Sequence, residues 1–229
     1  MASVNCQAQI LLNSGEVVVM SGTIVEGTTT ELQTSTTYSV SATSLGQFAE
    51  GKTIVSFVQP VSSLNGIAFA YINRRGSIVA VCPVAVQGIT QTEPCYLLGG
   101  GSLQLQAGDT LQVMGNTATS RLFAYSVQTS SGVQAIFTGT PSGAGNTDLT
   151  HILSGQSVGT SLVGQSIVNH YATSIDGSKL STGGLNILDD KGLPVGTCTA
   201  TDPSDLIVKE SRTNVRIGLN FIGRVITNA

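Results

Sequence analysis

Charge is what this sequence has least of. Asp, Glu, Lys and Arg make up 10 % of its 229 residues, where about 25 % is usual for a globular protein. The net charge is −3, and the cations never gather beyond Arg74-Arg75 and the scattered Lys209, Arg212, Arg216 and Arg224. A phosphate backbone is held by several cations acting together, so nucleic acid is not an expected partner. The start, MASVNCQAQILL, has no cationic side chain, which argues against a basic arm for packaging a genome.

Long apolar runs are missing too. The longest, SIVAVCPVAV over 77–86, falls far short of the roughly 20 residues a membrane helix needs. Residues 1–20 lack the basic and apolar regions of a secretory signal, so synthesis in the cytoplasm is expected. Trp is absent, leaving Tyr and Phe to supply all aromatic area. The cysteines Cys6, Cys82, Cys95 and Cys198 form no CxxC, and no His-rich spacing exists, so neither zinc nor another cofactor is expected. Three pairings are open to four cysteines, and CPVAVQGITQTEPC would let Cys82 and Cys95 close a loop. A reducing cytoplasm argues instead for four free, mostly buried thiols.

What fills the polar positions is Ser, Thr, Gln, Asn and 27 glycines, beside a hydrophobic fraction of 41 %. That fraction is globular rather than disordered. Apolar residues recur at spacing two, and β-branched residues crowd between glycines, which is strand patterning. GEVVVMSGTIV, TTYSVSATS and KTIVSFVQPV read as strands. GIAFAYIN and GSIVAV flank Arg74-Arg75-Gly76 as a hairpin, and RLFAYSVQTSSGVQAIF turns at Ser130-Ser131-Gly132. Gly, Ser and Pro break the rhythm over 138–161, after which QSIVNHYATSI, GGLNILD, LPVGTCTA, DLIVKES and NVRIGLNFIGRVIT resume it. The expected fold is all-β, an antiparallel sandwich or jelly roll in one or two units. A β-sandwich over 1–140, a linker over 141–160 and a second β unit over 161–229 are expected.

An internal echo accompanies this division. Tyr71 followed by Gly76-Ser77 parallels Tyr171 followed by Gly177-Ser178. Asp109 resembles Asp205 in its setting, and Arg121-Leu122 resembles Arg216-Ile217. A duplication would give two similar β units, and chance alignment of two strand-rich segments explains the echo equally well.

The residue patterns that could carry chemistry each meet a structural alternative. GQSVG at 155–159 matches the G-x-S-x-G nucleophile elbow around Ser157. That motif needs a strand-to-helix turn in an α/β sheet, followed by an acid and a histidine. No α/β alternation is present, and no acid stands between Ser157 and His170. His170 is expected at a partly wet strand position and His151 in the linker. Asp176, Asp189, Asp190, Asp202 and Asp205 are denser than elsewhere, but they lack calcium-loop spacing and suit turns. Gly99–Gly101 lacks the Lys and Ser/Thr of a phosphate loop. No enzyme is expected.

The most regular stretch is GGGSLQLQAGDTLQVMGN, 99–116. A hairpin pairing Leu105 with Leu111 would put Leu103, Leu105, Leu111 and Val113 on the core face. Gln104, Gln106, Thr110 and Gln112 would then form an opposite face without charge, expected to be covered as a self-association face. The run Leu103-x-Leu105-x-x-Gly108-Asp109-x-Leu111-x-Val113 resembles strand pairs of C1q/TNF-type jelly-roll trimers and of phage head and fibre proteins. The resemblance to jelly-roll virion proteins of bacteriophages implies a capsid decoration or cement protein, or a small capsid component. Such a chain acts as a homo-oligomer, usually a trimer, with itself and other capsid proteins as partners, no membrane, and the virion as its place. A surface of hydroxyls and amides desolvates cheaply, which favours self-assembly. The alternatives are a receptor- or glycan-binding fibre module, and an exported self-assembling cell-surface subunit.

Overall fold

Spacing-two alternation dictates the architecture in the computed structural model. The structure describes residues 3–25, 28–34, 42–59, 67–82, 91–93, 102–116, 123–141, 143–174, 184–198, 207–210 and 214–227. The chain divides into two compact units, Met1–Thr119 and Ser120–Ala229.

Unit 1 begins with β1 (Ser3–Leu12) and β2 (Val17–Val25), paired from Ser3↔Val25 to Leu11↔Val17. β3 (Thr29–Thr34) continues from β2 through Met20↔Thr34, and β4 (Thr53–Gln59) lies on the other side of β1. The order β4-β1-β2-β3 is a Greek key, three consecutive strands with the fourth returning beside the first. The hairpin of β5 (Ile67–Arg74) and β6 (Ser77–Cys82) joins it through β9 (Asp109–Asn116), which pairs with both β3 and β5. Two short strands, β7 (Gln91–Glu93) and β8 (Leu103–Gln104), pair with β4. Alternate residues of both layers point inward. Ile10, Met20 and Ile54 meet Leu32, Ile72, Leu111 and Val113 in one buried cluster.

Unit 2 repeats this path strand for strand. Its elements are β10 (Phe123–Thr129), β11 (Gln134–Gly139), β12 (Gly145–His151), β13 (Ser166–Ser174), β14 (Leu185–Leu188), β15 (Pro194–Cys198), β16 (Ile207–Glu210), β17 (Val215–Arg216) and β18 (Ile222–Thr227). β13-β10-β11-β12 form the same Greek key, and β18 sits between β12 and β14. Registers coincide: Met20↔Thr34 answers Phe137↔His151, and Ile54↔Leu103 answers Ile167↔Val215. Even the irregularities recur. A register shift at Leu11/Leu12 matches one at Gln128/Thr129, and one at Ile72/Asn73 matches one at Ile187/Leu188.

Each unit carries one short helix, α1 (Leu45–Ala49) and α2 (Val158–Leu162). Ser44 caps the first by accepting from the Gln47 amide, and Ser157 caps the second by accepting from the Thr160 amide. Leu45 and Ala49, like Val158 and Leu162, lie one turn apart and enter the core. The second helical residue is Gly46 in one and Gly159 in the other, because backbone presses on each. A Cβ on Gly46 would strike the Gln106 carbonyl oxygen and lie 2.7 Å from the Asp109 amide. One on Gly159 would strike the Leu219 carbonyl oxygen and lie 2.6 Å from the Phe221 amide. After each helix the chain is tied to the same corner: Gly51 N–H donates to Leu105 at 2.9 Å, and Gly164 N–H to Ile217 at 2.8 Å.

The all-β sandwich expectation holds, with corrections. Residues 141–160 are not a linker, since β12 and α2 lie there, inside unit 2, and the division falls at Thr119/Ser120. Their Gly- and Ser-rich composition builds turns and a helix cap within a sandwich. The duplication is real in the structure, but Tyr71 stands in register where unit 2 has Asn186, not Tyr171. The hairpins at Arg74-Arg75-Gly76 and Ser130-Ser131-Gly132 form as read. The hairpin over 103–113 does not: β8 pairs with β4, and β9 with β3 and β5. The chain crosses between layers at 105–109 rather than folding back within one.

Candidate functional site

The four residues expected to form a self-association face are parted by that crossing. Gln104 lies on β8, and its amide donates to the Gly51 carbonyl at 2.9 Å. Gln106 is exposed in the corner. Thr110 and Gln112 lie half-buried on β9, where the Gln112 amide donates to the Thr110 hydroxyl at 3.0 Å. Gln112 stands between Glu31 and Tyr71 in register, so its face is not free of charge. Leu103, Leu105, Leu111 and Val113 are buried as expected, because strands of both layers turn alternate residues to the same core.

The corner itself holds the buried ion pair of unit 1. Asp109 is fully buried. Its carboxylate accepts from Arg74 Nε at 2.7 Å, Arg74 Nη2 at 2.8 Å and the Gln106 amide at 2.9 Å. Arg74 Nη2 also donates to the Gln104 carbonyl at 2.9 Å. The Asp109 hydrogen bond raises the guanidinium pKa of Arg74 above its usual range, so Arg74 keeps its charge. A second pair, Lys52 with Glu16, is solvent-exposed at the same end of the sandwich. Both are structural pins.

In unit 2 the polar cluster has moved into the core. The Tyr125 hydroxyl hydrogen-bonds His170 Nδ1, and Cys198 Sγ lies 3.4 Å from the same nitrogen. The Tyr125 and His170 rings meet edge to face, centroids 5.5 Å apart. His170 is 2 % exposed, a correction to the partly wet position expected, and Tyr125 and Cys198 are fully buried. A thiol beside an imidazole is the raw material of nucleophilic catalysis, and here all three side chains are buried. Cys198 is not part of a disulfide. Cys6 and Cys82 occupy β1 and β6 with side chains outside the described residues, and Cys95 lies outside them altogether.

His151 ends β12 rather than sitting in a linker. Its ring meets Phe137 edge to face at 5.3 Å, and its Nδ1 lies 3.3 Å from both the Leu153 amide and the Ser154 hydroxyl. Partial burial lowers its pKa. Ser157 is the helix cap already described, so G-x-S-x-G here builds α2. Asp189 spends its carboxylate on the Lys191 and Leu193 amides at 2.9 Å, as a turn residue does. Asp190 is exposed, while Asp176, Asp202, Asp205 and Gly99–Gly101 lie outside the described residues. Among the described residues no three His, Cys, Asp or Glu side chains gather as a metal would need. Nor is any helix long and apolar enough to cross a membrane.

A surface that sequence reasoning missed lies at the helix-bearing end of unit 2. Leu219, Leu193 and Val163 are 62 %, 58 % and 52 % exposed, and Val133 and Leu153 are exposed beside them. Backbone bonds bring their segments together: Ser130 to Ser166, Gly164 to Ile217, Gly159 to Phe221 and Leu188 to Ile222. Unit 1 carries charge at two of the equivalent places: Glu16 stands where unit 2 has Val133, and Glu50 where it has Val163. The signal was present in the sequence. Ser44-Leu-Gly-Gln-Phe-Ala-Glu-Gly-Lys-Thr-Ile-Val55 and Ser157-Val-Gly-Thr-Ser-Leu-Val-Gly-Gln-Ser-Ile-Val168 align without a gap, and the substitutions stand out once they are superposed.

Comparison of the chain with known protein families, characterised proteins and solved structures gave no match.

Proposed function

We propose that the chain is a non-enzymatic structural subunit of a virus particle, a capsid decoration or cement protein or a small capsid component that self-associates on the particle surface. The observation that carries this reading is the duplication. The chain spends both halves building one sandwich twice, and Asp109, His170 and Cys198 are consumed in holding the two units rather than presented to a substrate. The charge-poor composition and the apolar end of unit 2 support self-association, since both lower the cost of removing surface from water.

The glycan-binding alternative draws less support. Saccharide platforms are exposed aromatic faces, and the tyrosines whose side chains are described, Tyr71 and Tyr125, are both buried. Two measurements test the proposal together. The full chain is expected to sediment as a discrete oligomer, and mass spectrometry of purified particles from the native source is expected to find it in fixed stoichiometry with the shell protein. Its absence from such particles sinks the virion role.

A further inference from the structure

We infer that the turn leaving β12 is an acid-sensitive latch, in which protonation of the His151 ring releases the tip at Leu153 while the rest of unit 2 stays closed. The Leu153 amide lies 3.3 Å from His151 Nδ1. An amide N–H only donates, so Nδ1 accepts and the neutral ring carries its proton on Nε2. A proton added to Nδ1 sets donor against donor. The Ser154 hydroxyl, also 3.3 Å from Nδ1, can turn and accept, but the amide cannot. The bonds at the base of the turn are of another kind. His151 N–H donates to the Gln156 carbonyl at 2.8 Å, Gly155 N–H to the His151 carbonyl at 2.7 Å, and Ile152 N–H to the Ile136 carbonyl at 2.8 Å. None of these backbone groups titrates, so the opening is confined to the tip, where Leu153 is exposed.

The surroundings of the ring leave the switch to His151 alone. Neither β11 nor α2, both packed against β12, contains a titratable or charged side chain. Besides His151, β12 contributes Asp148 and β18 contributes Arg224, and these two pair with each other at 2.5 Å. Asp148 is three residues from His151, so alternation puts it on the opposite, exposed face of the strand. The face His151 shares is that of the buried Leu149, and the ring there meets Phe137 of β11. Burial holds its pKa below the ordinary value, so the latch stays shut at neutral pH and opens only in acid. Unit 1 closes the matching place without a switch. The Thr34 amide donates to the Thr43 carbonyl at 2.9 Å, as His151 does to Gln156, and the Thr34 hydroxyl accepts from the Thr43 amide at 3.0 Å. A hydroxyl takes up no proton in this range. Acid therefore separates the two units at a bond they otherwise share.

The test follows the full, isotope-labelled chain by NMR from about pH 8 to about pH 4.5, a range that spans imidazole protonation. The reporters are the His151 ring and the Ile152, Leu153 and Gly155 amides. As the ring takes up its proton, exchange of the Leu153 amide with water, corrected for its intrinsic pH dependence, is expected to rise about fivefold, the loss of one amide hydrogen bond. Ile152 and Gly155 should hold. His151→Asn supplies a side-chain oxygen that accepts from the amide two residues on and does not titrate, so in that variant Leu153 should stay protected throughout. Leu153 exchange unmoved through the titration of the ring overturns the latch. So does a His151→Asn chain that opens with acid as the wild type does. Loosening of Ile152 and Gly155 together with Leu153 also overturns it, since that marks unfolding of the unit rather than release of its tip.

Discussion

At the corner where its helix meets the crossing loop, unit 1 buries Asp109 and grips it with Arg74, while unit 2 lays the Phe221 ring against Gly218. The chain path is the same around both. Gly46 and Gly159 admit the loop backbone, and matching amide–carbonyl bonds close the corner in each. The difference teaches that main-chain packing sets this corner, and that the side chain filling it is exchangeable between an ion pair and an apolar ring. Strand register puts Ala8 and Phe57 at the positions where unit 2 has the hydrogen-bonded Tyr125 and His170.

The largest effects should come from breaking the ionic corner unevenly. Arg74→Ala leaves a fully buried carboxylate without its cation and should cost unit 1 about 4 kcal/mol. Asp109→Ala leaves a guanidinium whose side chain is 22 % exposed and can reach water, so about 2 kcal/mol is expected. Urea unfolding of the full chain reads both as a shift of the unit 1 transition with unit 2 unmoved. Equal costs would mean that the exposure of Arg74 does not relieve its lost partner.

Gly46→Ala and Gly159→Ala should come next, at about 3 kcal/mol each. Here the comparison predicts equality, because both methyl groups meet loop backbone rather than a movable side chain. If Gly159→Ala is tolerated and Gly46→Ala is not, the flexible partner is the loop around Leu219, and the two corners are less alike than their bonds suggest.

Much of this was legible from residue order. Alternation located the strands, and Arg75-Gly76 and Gly132 announced their turns through the left-handed backbone they adopt, with φ of 51°, 83° and 85°. The alternation from Leu103 to Val113 marks the core-facing side chains but does not specify the pairing, which joins β8 to β4 and β9 to β3 and β5. Inward alternation is the same whether two strands pair with each other or lie in facing layers, so spacing cannot decide between them. Residues 141–160 misled for a related reason: caps and turns need Gly, Ser and Thr as much as a linker does, and Ser157 is a cap. His170 looked wet because polarity was taken for exposure, whereas Tyr125 and Cys198, distant in sequence, supply the polar contacts that let it be buried.

The buried cluster offers a milder test. Tyr125→Phe removes the hydroxyl from His170 Nδ1 and should cost unit 2 about 1–2 kcal/mol. Tyr125→Ala with His170→Phe installs the residues that unit 1 carries at these register positions. It should cost less than the sum of its single variants by about 1 kcal/mol, since the two side chains share one space. Strict additivity in urea unfolding would show that the cores of the two units are not interchangeable at this place.

The smallest effect separates the units by pH. His151 occupies the place of Thr34 in the repeat, and burial holds its pKa below the ordinary value of 6.5. A depressed histidine binds its proton more readily in the unfolded chain than in the folded one. Its contribution to stability is therefore fully present above about pH 6.5 and is lost as pH falls from there through the lower folded value. Unit 1 has no titrating group at this position, so only the unit 2 transition should carry this term. His151→Thr borrows the side chain of unit 1 and should flatten the difference in unit 2 melting temperature between pH 8 and pH 5 (about 1.5 pH units on each side of the ordinary imidazole value). The comparison with wild type matters because unit 2 holds a second histidine, His170, and only the part removed by His151→Thr belongs to β12. An unchanged pH slope in that variant would assign the whole dependence to the core.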